Sequence, residues 1–343
     1  VSFTFSEAMD PGTTPTVTFD PAVASTLTGQ SGAWLSDGKT FKVQATIDDK
    51  GIDANEVTID ITGAKDVAGN LQVDHTAVKG LEVDTLNPTA SYASTIKSQN
   101  TNGAANVASD ADSVVAYTVT FSEPVAALPP SDIDVAGGAL VTSTLALIEG
   151  GRKATFDVEA SDNSVADLVV KVKDTVKDLN GNKLVESSSA AVDVDTVNPG
   201  VTITDDQSGI AFDGDNTVAY TLTFTEGVQK IDANDLTVTG ATIDSVAHTA
   251  GSKTATVTVT VTDDSMANVS ITAKPSIVDI AGNPLVQAVD DSQTVDTRNP
   301  STNGAPTVSD VLITDADANG DGGPSTLSVS FTFNEAMDTG TAP

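Results

Sequence analysis

A six-residue phrase, Val-Asp-Thr-x-Asn-Pro, occurs three times and limits how this chain can be organised. It begins at Val83, Val194 and Val295, at intervals of 111 and 101 residues. A phrase that returns at domain-sized intervals indicates a tandem array of domains. Proline has no N–H for a sheet ladder, and it keeps the preceding Asn extended. We therefore predict that each copy is a taut joint between two successive domains.

The hydrophobic pattern is that of short β-strands. Apolar residues alternate with polar ones, as at Val115, Tyr117, Val119 and Phe121, which is the period of a half-buried strand. Aromatic residues make up only 4% of the chain, and turns rich in Gly and Asp separate the apolar runs. We therefore predict an all-β fold class: tandem immunoglobulin-like β-sandwich domains, of about seven strands each, in an elongated array.

The joints divide the chain into four predicted segments. Residues 1–86 are an Ig-like domain that lacks its first strand, residues 87–197 and 198–298 are Ig-like domains, and residues 299–343 are the opening strands of a further, truncated domain. The two ends are related, because residues 1–10 and 329–338 have almost the same sequence. The chain therefore resembles a window cut from a longer array.

Charge excludes several partners. The chain has 16 basic and 48 acidic residues, a net charge of −32. Nucleic acids and anionic membrane surfaces need Lys and Arg to neutralise their phosphates, so neither is an expected partner. No apolar run is long enough for membrane insertion, and the absence of cysteine excludes disulfide and thiol chemistry. An acidic excess instead favours a solvated surface or sites for divalent cations.

Catalysis is not indicated. The only histidines, His75 and His248, lie in different predicted domains, and no Ser/His/Asp set or phosphate-binding glycine loop is apparent. We therefore predict that the protein is not an enzyme, with no catalytic residues and no organic cofactor.

Two acidic signatures recur besides the joint. The first, Phe-Ser/Thr/Asn-Glu, closes a predicted strand and supplies Glu7, Glu123, Glu226 and Glu335. The second, Asp-x-x-Gly-Asn, follows a later strand and supplies Asp66, Asp178 and Asp279. Further acidic loops after the first and fifth strands supply Asp110, Asp112, Asp162, Asp213, Asp215 and Asp263.

Strand direction predicts where these acids meet. In an immunoglobulin-type sandwich the loops after strands two and six lie at the pole where the chain enters, and the loops after strands one and five lie at the opposite pole. Each joint should therefore collect carboxylates from both of its domains, together with its own Asp and Asn. These joint residues are Asp84, Asn87, Asp195, Asn198, Asp296 and Asn299.

The middle joint illustrates the arrangement and its expected ligand. Its predicted set is Asp110, Asp112, Asp162, Asp195, Asn198, Glu226 and Asp279. Such a group repels itself, and Ca²⁺, which binds six to eight oxygens, would relieve the repulsion. We therefore predict that Ca²⁺ is the cofactor and that it bridges adjacent domains and stiffens the joints.

Two further points bear on the metal. A loop with the pattern Asp-x-Asp-x-Asn-x-Asp matches the early positions of a calcium loop and lacks the later Glu; its acids and amide are Asp315, Asp317, Asn319 and Asp321. The alternative to metal binding is that the Glu and Asp of the signatures cap turns and that Gly-Asn supplies a positive φ.

Together the three motifs resemble bacterial immunoglobulin-like tandem repeats of large secreted adhesins, including RTX-type and biofilm-associated ones. The resemblance covers essentially the whole chain. It implies a structural extender, or stalk, that is often stiffened by calcium and that holds a distal binding module away from the cell. It also implies an extracellular or bacterial cell-surface location, with the neighbouring Ig-like repeats of the same polypeptide as partners.

A second interpretation is a subunit of an extracellular filament or sheath. The related ends motivate it, because the trailing strands of one chain could complete the first domain of an identical chain, head to tail. A carbohydrate- or surface-binding module would need an exposed aromatic platform, which the low aromatic content disfavours.

Overall fold

The structure is a computed structural model that describes residues 1–21, 23, 25–73, 78–98, 105–301, 333, 334, 336 and 337. It is nearly all β, so the predicted fold class is confirmed. The chain forms two compact units, Val1–Val197 and Asn198–Pro343. Within the described residues, no helix has the length and apolar character needed to cross a membrane.

The first unit begins with two three-stranded sheets. Its strands are β1 (Ser2–Thr4), β2 (Thr16–Asp20), β3 (Leu27–Trp34), β4 (Thr40–Ile47), β5 (Asp53–Thr62) and β6 (Val78–Asp84). The sheet orders are β1-β4-β3 and β2-β5-β6. Val57 and Val83 are buried in one apolar cluster, and Phe41 and Ile61 are buried in another. Burying each such side chain contributes roughly 1.5–3 kcal/mol.

The same unit continues with a second, larger sandwich. Its strands are β7 (Ala90–Ile96), β8 (Val107–Ala108), β9 (Val114–Phe121), β10 (Ile133–Ala136), β11 (Gly138–Ile148), β12 (Lys153–Ala160), β13 (Val169–Val172), β14 (Ser187–Ser188) and β15 (Asp193–Val194). Short 3₁₀ turns lie at Asp110–Asp112, Pro130–Asp132 and Glu149–Gly151. The sheets are β11-β12-β9-β7 and β10-β13-β14, and β15 pairs with β8 in parallel.

The alternating stripe on β9 forms the middle of this core. Val115, Tyr117, Val119 and Phe121 are all buried, as their period of two predicts. The ring of Tyr117 stacks on Phe156 of the neighbouring strand β12, with 5.9 Å between ring centroids. The buried residues of β13, in the other sheet, belong to the same apolar cluster, so the core holds β9 and the start of the acidic corner that follows it.

The second unit contains one sandwich of the same plan. Its strands are β16 (Val201–Asp205), β17 (Thr217–Phe224), β18 (Leu236–Thr239), β19 (Ala241–Ala247), β20 (Thr254–Val261), β21 (Val269–Ala273) and β22 (Val289–Gln293), with a 3₁₀ turn at Ala233–Asp235. The sheet orders are β16-β17-β20-β19 and β18-β21-β22. Tyr220 and Leu222 on β17 are fully buried in its core.

Strand β1 differs from its counterparts in the other two sandwiches. β9 and β17 each pair on one side with an opening strand, β7 or β16, and on the other with β12 or β20. β1 pairs with β4 alone within the described residues. A cavity of about 710 Å³ lies against it, lined by Phe3, Met9, Ile61 and Leu71 among others. Donation of a strand by another chain stays a prediction.

Each joint phrase begins inside the domain that it closes. Val194 is buried, and the Thr196 side chain, 1% exposed, accepts a hydrogen bond from Ser164 N (2.9 Å) and donates one to Ser161 O (2.8 Å). The other copies follow this pattern: Thr85 Oγ1 accepts from Ile52 N, and Thr297 Oγ1 accepts from Ser265 N and donates to Thr262 O. We refer to this arrangement of Thr85, Thr196 and Thr297 as the threonine clamp.

We expect Thr196→Val to loosen the end of the second sandwich. Valine has the same shape but leaves the Ser164 N–H and the Ser161 carbonyl without a partner, which costs about 1–3 kcal/mol. Hydrogen exchange of the β12 amides should speed up accordingly. The exposed control Thr95→Val should change exchange little. Equal protection in both variants would contradict a stabilising role for the clamp.

Candidate metal centre

The first joint presents the carboxylate of Asp84 at the end of β6. Thr85 is tied to the preceding loop, because its N–H donates to Ile52 O (2.7 Å) and its hydroxyl accepts from Ile52 N (3.0 Å). The Asp84 side chain turns back on the chain and accepts a hydrogen bond from Leu86 N at Oδ1 (3.0 Å). The clamp therefore fixes the residue next to Asp84, and the short Asx turn sets the direction of its carboxylate.

The corner that carries Glu123 is anchored on the start of the next domain. Ser122 and Thr89 exchange two hydrogen bonds, Thr89 N to Ser122 Oγ (2.9 Å) and Ser122 N to Thr89 O (3.0 Å). Arg152 Nη1 donates to the Ser122 carbonyl (2.9 Å). The residue between Phe121 and Glu123 thus ties the corner to the chain just after Pro88. This contact explains why the position holds Ser, Thr or Asn.

Asp178 closes the Asp-x-x-Gly-Asn turn. Its Oδ1 accepts from the backbone N–H groups of Asn180 (2.8 Å), Gly181 (2.6 Å) and Asn182 (2.8 Å), and its Oδ2 accepts from Asn182 Nδ2 (2.8 Å). Gly181 has φ of +100°, which only glycine adopts without strain. The turn therefore accounts for the motif by itself, as the turn-capping alternative expects, and it also holds the buried carboxylate in one orientation.

These three acids come together. One carboxylate oxygen from each of Asp84, Glu123 and Asp178 lies within 4.8 Å of the others. Asp84 ends strand β6, and Glu123 and Asp178 follow β9 and β13 of the second sandwich, so the group draws on both sides of the joint phrase. Such a group of negatively charged oxygens is what a hard cation such as Ca²⁺ binds.

Glu123 is the member of this group that the local structure does not satisfy. Its Oε1 is buried and has no hydrogen-bond partner among the described residues. Burial raises the pKa of its carboxyl above the usual value, and the charges of Asp84, Asp178 and Asp53 raise it further, while Arg152 opposes them. A buried carboxylate oxygen without a donor fits a site for a cation. Asp84, Glu123 and Asp178 would hold that ion.

Four residues of this region were not predicted as part of it. Asn180 and Asn182 direct their amides at Asp84 and Asp178, Arg152 contacts the Glu123 corner, and Asp53 lies opposite Asp84 across the β5–β6 ladder. The basic residue recurs, since Lys39 donates to Ser6 O (3.2 Å) and Lys253 to Thr225 O (2.8 Å). The sequence signal that could have revealed this contact is a Lys or Arg repeated directly before β4, β12 and β20, the second strand of each of three antiparallel pairs.

The other predicted ligands of the first unit lie outside this group of three. Asp110 and the buried Asp112 belong to a 3₁₀ turn, and Asp162 lies in the turn after β12. Glu7 is exposed, and Asp66 accepts hydrogen bonds from the backbone and the side chain of Asn70, which lower its pKa. Asn87 is half-buried within the joint. Their roles as ligands stay predictions.

The second unit repeats the turn and the corner. Asp279, buried, accepts from Gly282 N (2.6 Å), Asn283 N (2.8 Å) and Asn283 Nδ2 (2.8 Å). Glu226 follows Thr225, whose hydroxyl accepts from Gly200 N (2.9 Å). Asn198 Nδ2 donates to Pro284 O (3.1 Å) in the same unit.

The remaining predicted ligands have the following places. Asp195, in the first unit, accepts from Val197 N (3.2 Å). In the second unit, Asp296 accepts from Arg298 N (3.3 Å), Asp263 accepts from Asp264 N (2.9 Å), and Asn299 is exposed. Asp213 and Asp215 lie in the exposed loop before β17. Glu335 and the predicted calcium loop with Asp315, Asp317, Asn319 and Asp321 lie outside the described residues.

Comparison with known proteins supports an Ig-like assignment for part of the chain. A family model described as a bacterial Ig-like domain matches residues 195–297. No curated protein matches the chain.

Solved structures that resemble the chain do so distantly. The Yersinia pseudotuberculosis adhesin InvE is 12% identical, with a TM-score of 0.24, over 61% of this chain and 59% of that one. Surface layer protein SbsC, domains 1–6, is 15% identical, with a TM-score of 0.20, over 86% of this chain and 52% of that one. The chain thus spans little more than half of the length of either.

We expect Asp178 to be needed for its turn whether or not a cation is present. In chelator, Asp178→Ala should remove the acceptor of three backbone N–H groups, and the Gly181 and Asn182 amides should then exchange with solvent much faster. Because hydrogen bonds to a charged group contribute about 1.5–3 kcal/mol each, the loss of protection should be at least tenfold. Asp178→Asn keeps an acceptor oxygen, so its Gly181 and Asn182 amides should lose less protection from exchange. Unchanged protection in both variants would contradict this role.

Proposed function

We propose that the chain is a non-catalytic structural spacer of a bacterial cell-surface or secreted adhesin, in which Ca²⁺ binds at the joint between successive Ig-like domains and makes it rigid. The match of residues 195–297 to a bacterial Ig-like domain supports the structural part of the proposal. The threefold recurrence of the joint phrase supports the array. The neighbouring repeats of the same polypeptide are the partners, outside the cell.

The observation that carries the calcium part is the buried Oε1 of Glu123, which has no hydrogen-bond partner among the described residues. A carboxylate oxygen of the same residue lies within 4.8 Å of one oxygen from each of Asp84 and Asp178. Asp178 has a structural reason for its position, because it closes a turn. Glu123 has none among its described contacts: its side chain lies beside Asp178 of its own sandwich and Asp84 from the other side of the joint. A cation between them would turn that repulsion into attraction.

The donor chemistry favours calcium over other ions. All candidate ligands are carboxylate, carbonyl or amide oxygens, and the chain has no cysteine for a soft metal. Calcium accepts irregular sets of six to eight oxygens, whereas magnesium requires a near-octahedral set and keeps several of its waters. Ligands that come from two domains and a linker form an irregular set. Calcium, when bound, would supply the positive charge that joins them.

We expect the effect of Glu123→Gln on stability to change sign with calcium. In chelator the substitution removes one charge from a repelling group, so the thermal midpoint of the second sandwich should rise. At a calcium concentration of about 100 times the dissociation constant, the wild-type protein gains about 2.7 kcal/mol, and the variant should lose most of this gain. Calorimetric unfolding of the full chain with calcium and with chelator measures both effects.

Glu159→Gln is the matched control, because Glu159 is exposed on β12 and the change in charge is the same. Titration of the chelator-treated chain with calcium should show one fewer ion bound for Glu123→Gln, and the full number for Glu159→Gln. If calcium leaves the unfolding of the wild-type chain unchanged, or if both variants bind as many ions as the wild type, the calcium joint is refuted.

A further inference from the structure

The third residue of the Asp-x-x-Gly-Asn turn differs between the domains. It is Ala68 in the first, Asn180 in the second and Ala281 in the third. Asn180 Nδ2 donates a hydrogen bond to Asp84 Oδ2, so the turn of the second domain holds the carboxylate of the joint itself. Asn182 Nδ2 adds a longer contact to the Asp84 carbonyl (3.4 Å). Alanine offers no donor at this position.

We propose that Asn180 is a latch that keeps the first joint ordered without a cation. A neutral amide N–H directed at Asp84 offsets part of the repulsion between Asp84 and the carboxylates of Glu123 and Asp178, and it links the end of one domain to a turn of the next. The part of this inference that concerns calcium rests on the proposed function, whereas the latch needs no ion. Joints along one chain then differ in how strongly they depend on calcium.

Local geometry makes Asn180 a position where the side chain alone can be tested. Its backbone is not among the non-glycine residues with positive φ, so alanine can replace it without strain. The backbone N–H of residue 180 continues to donate to Asp178 in any such variant, because that bond does not use the side chain. The neighbouring Leu179 is 68% exposed and provides a matched control, Leu179→Ala, in the same turn.

The experiment is a distance measurement across the joint. Because the chain has no cysteine, Gln44→Cys on β4 and Thr120→Cys on β9, both exposed, give the only two sites for spin labels on the full chain. Pulsed electron spin resonance then reports the mean and the width of the distance between the first and second domains, in chelator and in calcium.

The expected results differ between variants. In chelator, the wild type and Leu179→Ala should give a narrow distribution, and Asn180→Ala a wider one. Asn180→Asp should be the widest in chelator, because it adds a charge beside Asp84, and calcium should narrow it most, because the new carboxylate can serve as a ligand.

Two outcomes separate the latch from the calcium proposal. If the distance distribution of Asn180→Ala in chelator is as narrow as that of the wild type, the latch is wrong, whatever calcium does. If the distance distribution of Asn180→Ala is wide and calcium changes the distribution of no variant, the latch is supported and the calcium joint is refuted. Amide exchange of the β9 and β12 cores, unchanged in all variants, shows that any widening arises at the joint and not from unfolding of the second domain.

Discussion

The threonine clamp is the interaction on which the organisation of the joint depends. Buried hydroxyls at Thr85, Thr196 and Thr297 hold the chain to the loops after β4, β12 and β20. A joint could otherwise fray back into the domain that precedes it, and the Asp beside each Thr would have no fixed direction. At the first joint, the corner at Ser122 anchors the chain again just after Pro88, so only Leu86 to Pro88 span the gap.

Two opposing electrostatic effects meet at this first joint. Turn amides and a nearby guanidinium stabilise negative charge at Asp84, Asp178 and the Glu123 corner. Burial of Glu123, together with the charges of Asp84 and Asp178, destabilises the ionised form of its carboxyl and raises the pKa of that group. The N–H groups of the turn satisfy the hydrogen-bonding capacity of Asp178, and the amide of Asn180 satisfies part of that of Asp84. The buried Oε1 of Glu123 has no partner among the described residues. A group of carboxylates in which one buried oxygen lacks a hydrogen-bond donor is well suited to a ligand that brings positive charge.

Period-two patterns predicted the all-β class and the buried stripes, because burial on one face of a strand is a local property of sequence. The acidic signatures likewise included Asp84, Glu123 and Asp178, which the structure brings together, because strand ends and tight turns have recognisable local sequences. Local sequence patterns could not predict which residues distant in the chain come into contact. Arg152 reaches Ser122 from thirty residues away, and Asn180 reaches Asp84 from ninety-six. Strand direction placed Asp110 and Asp162 at one pole but could not say which acids approach within bonding distance.

In the second and third sandwiches the residue before the joint Asp pairs in parallel with an earlier segment, Val194 with Ala108 and Val295 with Ala211. When a chain is pulled at its two ends, opposite forces on parallel neighbours act along the strands. The hydrogen bonds from Asp195 N to Ala108 O and from Asp296 N to Ala211 O are then sheared together instead of being peeled apart one after another. A pulling force would therefore have to break these hydrogen bonds together before it could detach the end of either sandwich.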